Sequence, residues 1–238
     1  MTAATIRAHL QPLADPRIAG HAQKFFKTGP GDYGHGDRFL GIRVPVLRKV
    51  AREFRAAPLA APLVLLRSPL HEERLVALFI LVEQFARGTP VIRQRIYSKY
   101  LANVPKHVNN WDLVDSSAHL IVGAQLEDGD RGVLYELARS PHLWSRRVAI
   151  IATFWFIRQG SFEDTLGIAE LLLDDREDLI HKATGWMLRE VGNRDRAVAE
   201  RFLRRHCRRM PRTMLRYAIE RLPERTRRAY LAGTVGER

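Results

Sequence analysis

Trp111 and Asp115 lie four residues apart in the run N-N-W-D-L-V-D. In a helix that spacing sets an indole and a carboxylate on one side, one turn apart. The surrounding chain is basic, with 39 Lys plus Arg against 26 Asp plus Glu and a formal net charge of +13 over 238 residues. A carboxylate repels phosphate. Its place in a protein built to hold a polyanion therefore implies a task beyond binding, such as stabilising a developing positive charge. The basic excess is mostly arginine, whose planar fork suits bidentate phosphate contacts, so nucleic acid is the leading partner. An arginine-rich composition without a ligand is the plainer alternative.

Other chemistries find no support. Cys207 is the one cysteine, so neither a disulfide framework nor a cysteine zinc site is available. With arginines around it, Cys207 reads as a surface bystander or a reactive thiol. The histidines are scattered with no H-E-x-x-H pair, so no metal is expected. No cofactor motif stands out either. No apolar run reaches the ~18 to 20 residues of a membrane span. The first ten residues lack the charged-then-apolar order of a secretory signal. A cytoplasmic protein is expected, and a monomer, since nothing calls for an oligomer.

The elements that must position these residues are helical. Leu75, Leu78, Phe79 and Val82 recur at three and four residues, as do Val148, Ile151, Ala152 and Trp155. Ser68-Pro69, Thr89-Pro90, Ser140-Pro141 and Met210-Pro211 punctuate the helices. Ser68 and Ser140 are expected as N-caps, each with proline at the first helical position. Ser68, Ser140 and Met210 are spaced by multiples of about 36 residues, with Val104-Pro105 and Asp174-Asp175 between. Arg74, Trp111, Arg147, Lys182 and Arg216 recur roughly in step. This period predicts an all-α fold: one α-solenoid of HEAT-like repeats over 1–238, with a concave basic cleft. An irregular helical bundle is the alternative. Residues 27–41 hold five glycines and are expected as a loop or short hairpin, in the plainest reading a surface connection. No Gly-Lys-Ser/Thr follows, so it is not a P-loop. Its Lys27 and Arg38 could meet a DNA backbone. The tail 223–238 is expected to be partly helical and then frayed.

In a solenoid, equivalent positions of successive repeats are neighbours. Trp111, Asp115, Arg147 and Trp186 could then share one cleft, flanked by Arg146 and Arg189. Indole faces attract cations, and an arginine holds phosphate. Against this, a helical tryptophan is more often core, and Asp115 could be half of an ion pair with Arg146 or Arg147.

W-D-L-V-D (111–115), L-W-S-R-R-V-A-I (143–150), K-A-T-G-W-M-L-R-E (182–190) and R-F-L-G-I-R-V-P (38–45) together resemble the bacterial alkylpurine DNA glycosylases of the AlkD type. The similarity runs from about residue 15 to about residue 222. It implies a HEAT-like solenoid around duplex DNA and hydrolysis of the N-glycosidic bond of cationic N3- or N7-alkylated purines, without extrusion of the base. On this resemblance Asp115 is the catalytic carboxylate. Trp111 and Trp186 contact the lesion nucleotide, and Arg147 holds its phosphate. The family's early tyrosine corresponds to Phe25, which lacks the hydroxyl. The long glycine-rich segment is similar to that of relatives without glycosylase activity, some of which bind branched DNA.

Overall fold

The computed structural model describes residues 1–235. Among these there is no strand, only an isolated bridge between Arg38 and Leu70. The all-α expectation holds. No described helix is long and apolar enough to cross a membrane. The chain forms two compact units, Met1–Ile121 and Val122–Arg238.

The first unit holds α1 (Ala3–Leu10), α2 (Pro16–Phe25), α3 (Val44–Glu53), α4 (Ala60–Leu65), α5 (His71–Arg87), α6 (Pro90–Asn103) and α7 (Trp111–Asp115). Helix α5 is its axis. It carries apolar residues around most of its circumference, which suits a helix enclosed by others, and twelve of its residues are buried. Helices α3, α4 and α6 pack on it. The second unit holds α8 (Gly132–Ala138), α9 (Leu143–Ala152), α10 (Phe154–Ile157), α11 (Glu163–Leu171), α12 (Asp178–Gly192), α13 (Arg196–His206), α14 (Arg212–Ala218) and α15 (Glu224–Ala232). Here α9, α12 and α14 pack side by side in that order, while α8, α11 and α13 cover them as a second layer. Gly185 lets α12 approach α14 closely, since a Cβ there would sit 2.4 Å from the Met214 carbonyl oxygen.

The Ser-Pro signals act two residues earlier than expected. The N-cap of α5 is Leu70 and that of α9 is His142. Ser68 Oγ instead accepts the Leu70 N–H at 3.0 Å, and Ser140 Oγ accepts the His142 N–H at 3.2 Å. Asp175 Oδ1 does the same for the Glu177 N–H, at 2.9 Å, before α12. A short side chain that bonds two residues ahead closes a turn that delivers the chain to the helix rather than capping it. The residue six positions on then donates back to the same turn. Arg74, Arg146 and His181 each bond the carbonyl of Ser68, Ser140 and Asp175, at 3.3, 3.0 and 2.6 Å.

These turns correct the register of the repeat. Arg74, Arg146 and His181 are each the fourth residue of their helix, whereas Asp115, Arg147, Lys182 and Arg216 are each the fifth. Arg74 and Trp111 are thus out of phase with Arg147, and Asp115 takes their place in the series.

Two further expectations change. The segment 27–41 forms no hairpin, and it is more than a surface connection. Asp37 is buried within it, and the Leu40, Gly41 and Ile42 N–H groups all donate to Glu72 at 2.8 to 3.2 Å. Gly41 has φ +81°, and a Cβ there would lie 2.0 Å from the Asp15 carbonyl oxygen, so only glycine fits. Cys207 is not on the surface. It packs with Phe202, Leu203 and Met210 in the core of the second unit. The tail is partly helical, as expected: Glu224–Ala232 form a helix with Tyr230 buried, ended by Gly233 in the left-handed region. The expected frayed end falls on 236–238, outside the described residues.

Candidate active site

Helix α7 is one turn long, too short to hold its position by its own hydrogen bonds. A buried set of charges fixes it instead. Its N-cap Asn110 accepts the Trp111 N–H and donates Nδ2 to Asp37 Oδ2 at 3.0 Å. Asp37 also takes Arg74 Nη2 at 2.6 Å and lies 3.1 Å from His71 Nδ1. The other ring nitrogen of His71 is 2.7 Å from Asp112 Oδ2, on α7 itself.

Two carboxylates and two cations therefore neutralise one another. Burial alone would raise the Asp37 pKa, but the His71 hydrogen bond and the Arg74 charge outweigh it and hold the pKa at about 2. Burial likewise opposes charge on His71, yet Asp112 and then Asp37 overcome it and lift the pKa to about 9. The imidazole is a cation at neutral pH and donates from both nitrogens. Sequence reasoning missed this set. Its signal was H-E-E-R directly before the apolar run Leu75–Val82, four chargeable side chains that α5 buries.

The lock aims Trp111. Its ring stacks on Phe26 (centroids 5.3 Å, 16° between planes), and Phe26 stacks on Phe39 at 5.0 Å. Phe25 meets Trp111 edge-on at 6.0 Å and is 59% exposed. These rings, with Leu47 and Asp112, line a cleft of about 510 Å³. Trp111 and Asp112 also line a second cleft of about 240 Å³, with Arg48, Phe79, Asp115 and Ser116. The Arg48 guanidinium lies over the Phe79 ring at 4.3 Å. Asp115 is partly exposed there, one turn from the indole, as its spacing implied. Its charge also reaches the buried Tyr100. Burial, more than that charge, pushes the Tyr100 phenol above its usual range.

The first unit therefore brings together Phe25, Trp111 and Asp115. Lys27 and Arg38 are exposed at the ends of the glycine-rich segment, Lys27 in a turn with φ +50°. The other expected residues belong to the second unit. Arg147 is 4% exposed and donates to the Leu179 carbonyl. Arg146 is committed within its unit, to both Asp175 oxygens at 2.6 and 3.3 Å and to the Ser140 and Pro141 carbonyls. Arg189 is paired with Glu220. Trp186 is half-buried, donates Nε1 to Glu190 at 3.3 Å, and lies 6.0 Å from the Phe154 ring. Among the described residues no group of three His, Cys, Asp or Glu is placed to hold a metal.

A carboxylate and an electron-rich indole on one open cleft can stabilise a cation and orient a water. The model of a family described as DNA alkylation repair enzyme matches residues 6–222. Among solved structures, one described as a predicted DNA alkylation repair enzyme from Enterococcus faecalis superposes with a TM-score of 0.71. It is 18% identical in sequence, over 89% of this chain and 97% of that one. At that identity the likeness concerns the fold. No curated protein matches the chain.

Proposed function

The chain belongs to the DNA alkylation repair enzyme family, and we propose that it serves there as a DNA glycosylase for cationic N3- and N7-alkylated purines in duplex DNA. The supporting observation is the placement of Asp115 and Trp111, one helical turn apart, on a single cleft. In this reading the helices of each unit stack as HEAT-like repeats, and their basic residues take the duplex. The protein acts as a monomer in the cytoplasm.

The chemistry needs little more. A purine alkylated at N3 or N7 carries a positive charge, so the ring accepts the electrons of the breaking N-glycosidic bond and leaves neutral, without a general acid. The sugar becomes oxocarbenium-like. The Asp115 carboxylate stabilises that cation and orients the water that attacks C1′. The water proton passes to the carboxylate or to solvent, and an abasic site remains. Trp111 offers its face to the lesion nucleotide, and Trp186 offers an aromatic face to DNA from the second unit. A phosphate of the lesion strand would come to Arg147, whose guanidinium is nearly buried.

The test is release of 7-methylguanine and 3-methyladenine from methylated duplex, by the native protein and by Asp115→Asn. Loss of a preorganised charge lowers the rate on the order of 100- to 1000-fold. A folded native protein that binds DNA and releases neither base overturns the enzyme reading. The second reading, a non-catalytic binder of branched DNA, rests on Phe25, which presents a ring without a hydroxyl beside Trp111.

A further inference from the structure

Helix α13 carries arginines of two kinds. Arg196 and Arg204 pair with Glu200, and Arg209, just past the helix, pairs with Asp174 at 2.8 Å. Arg201 and Arg205 on the helix, and Arg208 in the turn that ends it, are exposed and have no ion-pair partner among the described residues. Arg201 and Arg205 are four apart, a like-charge arrangement that weakens an isolated helix. Both line a groove of about 250 Å³ between α11 and α13, whose other members include Gly167, Phe202 and His206. Glu170 is the carboxylate of that groove; it lies 3.9 Å from His206.

This groove is lined by α11 and α13 alone, so it is separate from Arg147, Lys182 and Arg216, which α9, α12 and α14 carry. The side of α13 that bears Ala199, Phe202 and Leu203 is buried, which leaves the two arginines no other direction than solvent. Their Cα atoms are ~6 Å apart along the helix. A duplex carries one charge per ~1.7 Å of axis, so a backbone crossing this groove meets both guanidiniums with phosphate.

We propose that the Arg201, Arg205 and Arg208 face is a second DNA contact, holding the phosphate backbone of a duplex segment other than the one that carries the lesion. The arginine fork supplies bidentate bonds to phosphate oxygens without reading sequence. The proposal rests on DNA as the ligand and not on the hydrolysis. It predicts that long duplexes bind more tightly than a short duplex that fills only the reaction cleft, through multivalency.

The experiment measures binding of an unmodified long duplex against salt concentration, and base release from a short methylated duplex at saturating enzyme. The triple variant Arg201→Gln, Arg205→Gln, Arg208→Gln should lower the slope of log K against log salt by about 2 to 3, near 0.9 for each phosphate lost. Base release should be unchanged. The triple lysine variant, which keeps the charges, should keep the slope. An unchanged slope in the glutamine variant overturns the proposal and leaves a merely solvated face. A fall in slope and release together also overturns it, because the arginines then belong to one continuous site. If the native protein releases no base at all, the slope still decides this proposal alone.

Discussion

Asp37 in the first unit and Asp175 in the second do related work in different surroundings. Asp37 binds two cations and an amide, and all four groups are buried. Asp175 binds one arginine and the N–H of Glu177. Both hold the start of a helix that carries residues of the candidate site. Their difference lies in what each would leave behind if removed. Loss of Asp37 strands the buried Arg74 guanidinium and leaves the His71 imidazolium with Asp112 alone. Loss of Asp175 frees Arg146, which is still bonded to two carbonyls and is 15% exposed. The first aspartate is thus a counter-ion for a closed site, and the second is a staple for a turn.

The largest effect should come from Asp37→Ala. Breaking a buried pair by removing one partner costs ~3 to 5 kcal/mol, and a thermal or denaturant melt reads it directly. Asp175→Ala should cost less, ~1 to 3 kcal/mol, the desolvation of one partly buried charged donor. Equal losses would show that the two aspartates do the same job. Neither variant tests chemistry. Asp115→Asn does, and its readout is the collapse of base release.

The first unit should also respond to pH on both flanks. His71 has its pKa raised from 6.5 to about 9, so its contribution is complete below pH 6.5 and is lost as pH rises through 9. The full shift corresponds to ~3 kcal/mol at ~1.4 kcal/mol per unit. Asp37 has its pKa lowered from 3.8 to about 2, so its contribution is complete above pH 3.8 and is lost as pH falls through 2. Native stability should therefore be flat between these limits and fall on the alkaline side from about pH 6.5. In His71→Gln the alkaline fall should shrink. Hydrogen exchange of α7 amides is the local measurement, and an alkaline fall of native size in His71→Gln would remove His71 as its cause.

What was legible in the sequence was local. Trp111 and Asp115 share a cleft because the helical period alone puts them on one side, and the all-α class followed from the same period. The recurrence of the turns at Ser68 and Ser140 was also legible, but the phase of the helices after them was not. Ser68 and Ser140 mark a turn two residues before the cap, so counting helices from them misplaces Arg74 against Arg147. Asp37 was invisible because its partners are 34, 37 and 73 residues away. Glycine-rich sequence is mostly exposed, and only these distant cations reveal a buried acid within it. Cys207 was misjudged for a related reason. Its arginine neighbours turn outward while it points inward, a distinction that composition does not carry.

The smallest effect is the most informative about chemistry. Phe25 is 59% exposed and touches Trp111 only by its edge, so Phe25→Tyr adds a hydroxyl at the cleft without displacing a packed neighbour. Stability should change by no more than ~0.5 kcal/mol. If the cleft takes the lesion nucleotide, the new donor can reach its phosphate or sugar. One added hydrogen bond contributes ~0.5 to 1.5 kcal/mol, a factor of about 2 to 13 in affinity. The gain should appear as a lower KM for methylated duplex with kcat unchanged, because a bond made equally in ground and transition states is uniform binding. A raised kcat would mean that the hydroxyl works on the reacting sugar. No change in either constant would place the DNA away from Phe25, and the 510 Å³ cleft would then lie outside the path of the substrate.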